Sequence, residues 1–502
     1  MKTTKCATIT GLDAETVFVE VNFTRGLPRI SVVGLPEKEI KESQERFKSA
    51  LISSGFKFPP QTITINLSPS DIKKSGSYFD LPLALIIALF DSEIDLSDWH
   101  IFGELGLDGA IKDTKAIFPT VLSLKTSGQL KKVVVPKGSV EKLSKIPNIE
   151  IYGVETLSEA VDFFKGIINI EKVANLELNL NRVQILDKEF FFTKKFDVDF
   201  KDVFGQVVAK RGALISATGM HNIIFDGSPG SGKSMIAKRL RFILPPVTQN
   251  ELLDIAKFEA LDGIEPSFSA LRPFRSPHHT ASQGSIFGGG SRVAKVGEVS
   301  MSNSGILFFD ELPHFPKQTL EALREPLQDY AISISRVHTK VKYPANFLFI
   351  GAKNPCPCGN YLSKNNSCRC SDLEIKRYQN ILSEPFWDRI DISITMQEVS
   401  IDDKPTTSSA EMFEQVLNAF QMQMKRGQVN LNGRLSDEEI DKFIKLDLDA
   451  LDILRKASEK FNLSLRSVNK VKKVARTIAD LDSAENVSKS HILESLSFRR
   501  RI

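Results

Sequence analysis

GSPGSGKS at 227–234 fits the pattern G-x-x-x-x-G-K-[ST], and its surroundings decide the fold. The apolar run Ile223-Ile224-Phe225 before it has strand character, and SMIAKRLRFIL from Ser234 onward reads as a helix. The motif needs that strand–loop–helix context to turn backbone N–H groups inward round a phosphate chain. The glycines permit turns that a Cβ obstructs. In this reading Gly227, Ser228, Pro229, Gly230, Ser231 and Gly232 cradle the phosphates of ATP. Lys233 reaches the β- and γ-phosphates, and Ser234 ligates Mg2+. A second run, GILFFDE at 305–311, is a buried-strand pattern ending in adjacent carboxylates. Asp310 is expected in the Mg2+ shell, and Glu311 is expected to polarise the attacking water. The two motifs together predict an ATP-hydrolysing P-loop α/β domain over 201–400.

The rest of the chain is organised around that core. At 502 residues the chain is long enough for two to four domains, and its 41% hydrophobic share suits packed soluble cores. Residues 1–165 alternate β-rich runs such as ATITGLDAETVFVEVNF, TITINL and KVVVP with helix-like segments, which predicts an α+β domain. Residues 166–200 are charged and Asn-rich and read as a linker. Residues 401–435 are polar and read as a connecting segment. Residues 436–502 give four helical segments, SDEEIDKFIKL, DALDILRKASEKF, SLRSVNKVKKVARTIADL and SKSHILESLSF, which predict a helical bundle.

Charge and hydropathy narrow the surroundings in which the chain works. Net charge is +4, from 66 basic and 62 acidic residues, which by itself does not call for nucleic acid. No apolar run reaches the roughly 18 residues needed to cross a bilayer, and LPLALIIALF at 81–90 reads as a buried helix. The first apolar stretch is broken by Asp13 and Glu15, unlike a signal peptide. A cytoplasmic protein without membrane contact is the expectation. Of five cysteines, Cys6 stands alone and reads as a buried small residue. Cys356, Cys358, Cys368 and Cys370 form two C-x-C pairs about ten residues apart, as suits a structural Zn2+ held by four thiolates. Free thiols and reversible disulfides are the alternatives.

Three further features follow the two motifs in order. NFLFIGAKN (346–354) is a strand ending at Asn354, FWDRIDI (386–392) sets Arg389 between carboxylates, and LSLR (463–466) puts Arg466 at a helix start. This succession resembles the AAA+ ATPases. The stretches RPFRSPHHTAS (272–282), GEVSMSNSGILFFDELPHF (297–315), LEALREPLQD (320–329), NPCPCG (354–359) and VARTIADL (474–481) are similar to those of the magnesium-chelatase-like AAA+ proteins of the ComM/YifB family, over essentially the whole chain. The resemblance implies that Asn354 is sensor 1 and that Arg389 is an arginine finger acting on the ATP of the next subunit. It implies that Arg466 is sensor 2 on a helical lid, and that the assembly is a hexameric ring. The local alternative for Arg389 is a salt bridge to Asp388 or Asp391, and for Arg466 a solvated helix start. Two departures stand out: His314 occupies a usually acidic position, and Lys470 a position where a second lid arginine is common.

Two insertions are candidates for contact with DNA. AISISRVHTKVKYPANF (331–347) reads as a β-hairpin with Arg336, His338, Lys340 and Lys342 in or near its tip. RPFRSPHHTASQGSIFGGGSRVAKVG (272–297) mixes Arg275, His278 and His279 with aromatic residues and three consecutive glycines. Bracing of a subunit interface is the plain alternative for that loop.

Residues 1–165 also resemble the Lon-type protease domain, but the matching positions carry Asp80 for the nucleophile and Phe118 for the lysine. A Ser–Lys dyad needs a hydroxyl beside an amine, so an inactive scaffold, oligomerisation or DNA-entry domain is expected. The function implied is an ATP-driven DNA motor of the helicase or branch-migration type. A protein-remodelling or chelatase-type motor is the alternative.

Overall fold

The computed structural model describes residues 2–289, 295–335, 340–363, 366–398, 400 and 403–500. The chain forms two compact units, Met1–Asn179 with Ala256–Phe268, and Leu180–Ile255 with Ser269–Ile502. Residues 256–268, expected within the ATPase core, belong to the first unit. Phe268 meets Phe118 edge-on at 5.4 Å, and Lys145 lies over the Phe268 ring.

The first unit is a seven-stranded mixed sheet with helices. Its strand order is Arg29–Val33, Thr62–Ser68, Asp13–Thr24, Lys2–Thr10, Leu96–Ile101, Lys132–Pro136 and Glu150–Val154. The run read as a buried helix forms Asp80–Ala88, buried at every position. Asp80, in its first turn, has no exposed surface. Its carboxylate accepts from Arg46 Nε at 2.7 Å and Nη2 at 3.0 Å, from the Ser43 hydroxyl and from the Leu105 N–H. Burial pushes the Asp80 carboxyl up, against the pull of Arg46 and Ser43. Arg46, Ser43 and the Leu105 N–H thus hold the carboxylate in one position within the domain. Among the nearby hydroxyls and amines, Ser77 donates to Glu104 and Lys115 to the Gly263 carbonyl.

The second unit is built on a five-stranded parallel sheet, ordered Phe274–Arg275, Ile306–Phe309, Leu348–Lys353, Ile223–Asp226, Ile392–Thr395. The middle three strands are almost wholly buried, so their apolar runs do not alternate. In such sheets the ligand crevice lies beyond the carboxyl ends of the strands. Asp226, Phe309, Lys353 and Thr395 end four of them, and the candidate residues follow directly. The C-terminal segments form the four helices Asp437–Phe443, Leu448–Lys460, Leu465–Leu481 and Lys489–Ser497. Leu454, Val471, Ala475 and Ile492 are among the side chains of their common core.

Two stretches read as connections hold regular structure. In 166–200, Asn181–Ile185 pairs antiparallel with Lys188–Phe192, and Phe190 and Phe192 pack on Phe420 and Phe413. In 401–435, the helix Ser409–Lys425 is opened by a capping box of Ser408 and Glu411. Its apolar face, Met412, Phe413, Val416, Leu417 and Phe420, has the helical period.

His221, just before the strand Ile223–Asp226, is fully buried and shares a 2.7 Å hydrogen bond with Thr477. Burial pulls its pKa down to about 4. Between about pH 6.5 and 4 the unfolded chain therefore binds the proton and the folded one does not, so stability falls as pH falls through that window. The loss is of order 3 kcal/mol. Denaturant unfolding of the wild type at pH 7 and 4.5 should show it. His221→Asn should flatten that part of the pH dependence, and an unchanged slope would refute the assignment.

Candidate functional site

Residues 227–234 turn tightly from the strand Ile223–Asp226 into the helix Lys233–Leu240. Gly230 and Gly232 have φ of 79° and 93°, a region costly for any residue with a Cβ. The helix N-terminus faces the loop, which favours an anion there. Lys233 is buried, and burial lowers its pKa. Its ammonium donates to the Gly227 carbonyl at 2.5 Å, the Ser228 carbonyl at 3.0 Å and Asn354 Oδ1 at 3.1 Å. The Ser231 hydroxyl is buried with no hydrogen-bond partner. An unpaired buried hydroxyl within the loop is what a phosphate oxygen would satisfy, so the residues present fit the triphosphate.

The carboxylates stand where the motif requires them. Ser234 Oγ donates to Asp310 Oδ2 at 2.8 Å, so the hydroxyl and carboxylate expected to share Mg2+ already meet. Glu311 takes φ 49°, a strained conformation for glutamate that is concentrated at functional sites. Its Oε2 lies 3.6 Å from His279 Nδ1 and 3.4 Å from His314 Nδ1. His279 stacks on His278 with centroids 4.2 Å apart. The histidine pair read as a DNA contact thus lies beside the carboxylate expected to activate water. His314, the departure from the family pattern, bears on the same oxygen.

The remaining candidates for DNA contact have other placements. Arg275 is held by Glu298 through bonds of 2.6 and 2.9 Å. Arg272 is buried and bonded to the Pro245, Pro246 and Ser304 carbonyls and to Glu251. Both brace the loop. The hairpin forms as expected, with Ala331–Ser335 paired to Lys340–Pro344. Lys342 is exposed on it. Arg336, His338 and the side chain of Lys340 lie outside the described residues. In the C-terminal bundle, Arg476 is fully buried and donates to Asp480 and to the Ala484 and Glu485 carbonyls, so it belongs to the core.

Arg389 donates to the Pro385 carbonyl at 2.6 Å and to Gln328 at 2.5 Å, in place of Asp388 or Asp391. Its Nε is buried without a partner. Burial, then the positive charges of Arg466 and Arg324, lower its pKa. Arg389 and Arg466 line one cavity of about 510 Å³ with Arg434, Lys470 and Lys473. No residue of 227–234 lines it. Lys470 donates to the Ile390 carbonyl at 2.9 Å, and burial pulls it down to about 8.

Sequence reasoning missed Gln206. Its amide donates to the Ser231 carbonyl at 3.1 Å and the Gln397 carbonyl at 2.6 Å, tying the loop to the edge strand. Phe204, Val207 and Val208 around it in sequence are exposed apolar residues. The signal was the Phe-Gly-Gln step before a helix, with φ of 57° and 52° at Gly205 and Gln206.

The four cysteines converge. Cys356, Cys358 and Cys368 have Sγ atoms 3.4, 3.7 and 3.6 Å apart, and the Sγ atoms of all four cysteines lie within 4.8 Å of one another. Tetrahedral zinc with Zn–S of about 2.3 Å needs sulfurs about 3.8 Å apart. The cluster therefore fits that ion.

Family models for magnesium chelatase subunit ChlI match residues 19–139 and 199–404, and one for its C-terminal part matches 406–499. Competence protein ComM of Haemophilus influenzae is 37% identical, over 98% of this chain and 96% of its own. The chain belongs to the ComM/YifB family of magnesium-chelatase-like AAA+ proteins. YifB of Escherichia coli (strain K12) is 36% identical over 97% of this chain and 95% of its own. The magnesium-chelatase 67 kDa subunit of Heliobacterium mobile is 24% identical over 40% of this chain and 36% of its own. Membership implies ATPase activity, a bound nucleotide with Mg2+, and self-association. Among the described residues no helix is long and apolar enough to cross a membrane.

Proposed function

We propose that the chain is an ATP-driven DNA motor that works as a hexameric ring in the cytoplasm, of the helicase or branch-migration kind. The observation that carries the ring is the pairing of Arg389 with Arg466 in a cavity without phosphate-loop residues. Two cations displayed away from a subunit's own loop are of use to a neighbour's nucleotide. In this reading Lys233 and the loop N–H groups bind the phosphates, Asn354 orients the γ-phosphate and the attacking water, and Glu311 accepts the water's proton. Ser234 and Asp310 would hold Mg2+, which when bound neutralises charge on the phosphoryl oxygens. Gln206 and the apolar residues around it would seat the adenine. Cys356, Cys358, Cys368 and Cys370 would hold structural Zn2+.

DNA as the cargo is supported by the exposed Lys342 on the hairpin and by the competence protein among the relatives, which points to natural transformation or recombination. ATP hydrolysis by the full chain, with and without single-stranded and forked DNA over a salt series, tests this. Stimulation of several-fold or more that fades with salt is expected, because phosphate contacts release counterions. Normal basal turnover with no response to DNA would refute the DNA motor. The likeness to a magnesium-chelatase subunit would then favour a chelatase-type or protein-remodelling motor.

A further inference from the structure

The cysteine cluster touches the ATPase centre at two places. Gly359, one residue beyond Cys358, turns with φ 80° against the phosphate loop. An ideal Cβ built on it would come within 2.6 Å of Pro229 Cδ and 2.8 Å of Pro229 Cγ. The turn therefore fits only a glycine, and Pro229 is seated on its backbone. On the other side Asn354, two residues before Cys356, accepts from Lys233 at 3.1 Å. The helix Asp372–Gln379, opened by a capping box of Ser371 and Glu374, starts just after Cys370. Cys356 itself is buried beneath this arrangement.

We propose that a metal ion held by the four cysteines braces the phosphate loop, through Gly359 on Pro229 and through Asn354 on Lys233, and so sets nucleotide affinity. The proposal rests on the zinc and ATPase readings above. Four thiolates fixed to one ion hold the turns at 354–359 and 368–371 as a rigid unit. Closed coordination leaves that ion no chemistry of its own. Without it, the described residues 354–363 and 366–371 lose the four thiolate links that join them and keep their hydrogen bonds. Pro229 then loses the wall behind it, and Asn354 loses the fixed position from which it meets Lys233.

The test uses the full-length protein, with bound zinc measured by elemental analysis and the Kd of a non-hydrolysable ATP analogue measured by fluorescence. Wild-type protein should carry one zinc per chain. Gly359→Ala keeps all four thiols, so it should keep the zinc and weaken the analogue about tenfold or more. Adding Pro229→Ala, which removes the atoms the new Cβ meets, should recover part of that loss. Cys370→Ser should lose zinc and weaken the analogue at least as much. Tight analogue binding by a zinc-free protein would overturn the brace, and so would an unchanged Kd in Gly359→Ala. Wild-type protein that binds the analogue yet carries no metal overturns the metal reading alone. Failure of the wild type to bind the analogue overturns the ATPase reading instead.

Discussion

Arg389→Ala should lower ATP turnover by about 10³–10⁵-fold while leaving nucleotide binding close to wild type. The size of the effect follows from what a finger does: it meets charge that develops on the transferring phosphoryl group and contributes little in the ground state. The unperturbed binding follows from position. Arg389 bonds to Pro385 and Gln328 and shares with Arg466 a cavity that no residue of 227–234 lines. A mixing experiment separates action on a neighbour from action within the chain. Arg389→Ala and Lys233→Ala proteins should each be inactive alone. Mixed, they should regain turnover, because some interfaces then join an intact loop to an intact arginine. Mixtures that stay inactive under conditions where wild-type rings exchange subunits would count against action in trans. Arg466→Ala should complement Lys233→Ala in the same way, since the two arginines face one space.

Much of this centre was legible in the chain, and the reason is local. A phosphate loop, a strand ending in two carboxylates and a strand ending in Asn are each written in contiguous residues. A parallel sheet brings their carboxyl ends together without further instruction. The four lid helices were legible because their apolar positions recur at helical spacing and a serine precedes three of them, Ser436, Ser464 and Ser488, and an aspartate, Asp447, the other. What escaped depends on contacts distant in sequence. The hairpin at 181–192 gains its order from Phe413 and Phe420, more than 200 residues on, which no window over 166–200 contains. Residues 256–268 join the other unit through Phe118. The basic look of Arg275 was incomplete for the same reason, because its partner Glu298 lies 23 residues on and is near only in the fold. Asp80 shows the converse. Its place in the pattern already argued against a nucleophile, and the fold adds the partner, Arg46, that makes it structural.

Glu311→Gln should stop multiple turnover, by roughly 10²–10⁴-fold, and should leave ATP bound and unhydrolysed. The change keeps the shape of the side chain and removes only its ability to take a proton. The Ser234–Asp310 bond and the bonds of Lys233 to Gly227 and Asn354, at residues that would bind the nucleotide, do not involve Glu311. Recovery of intact ATP with the protein after gel filtration, against loss of both binding and turnover in Lys233→Ala, distinguishes the two roles. Normal hydrolysis by Glu311→Gln would move the water-activating role elsewhere. The environment argues for Glu311 over its neighbour Asp310. Asp310 spends its oxygens on Ser234 and the Glu311 N–H. Glu311 is exposed just past the strand Ile306–Phe309 in a strained backbone, with the His279 and His314 imidazoles near its Oε2. A carboxylate held out in that manner is placed to accept a proton, and an amide in its place is not.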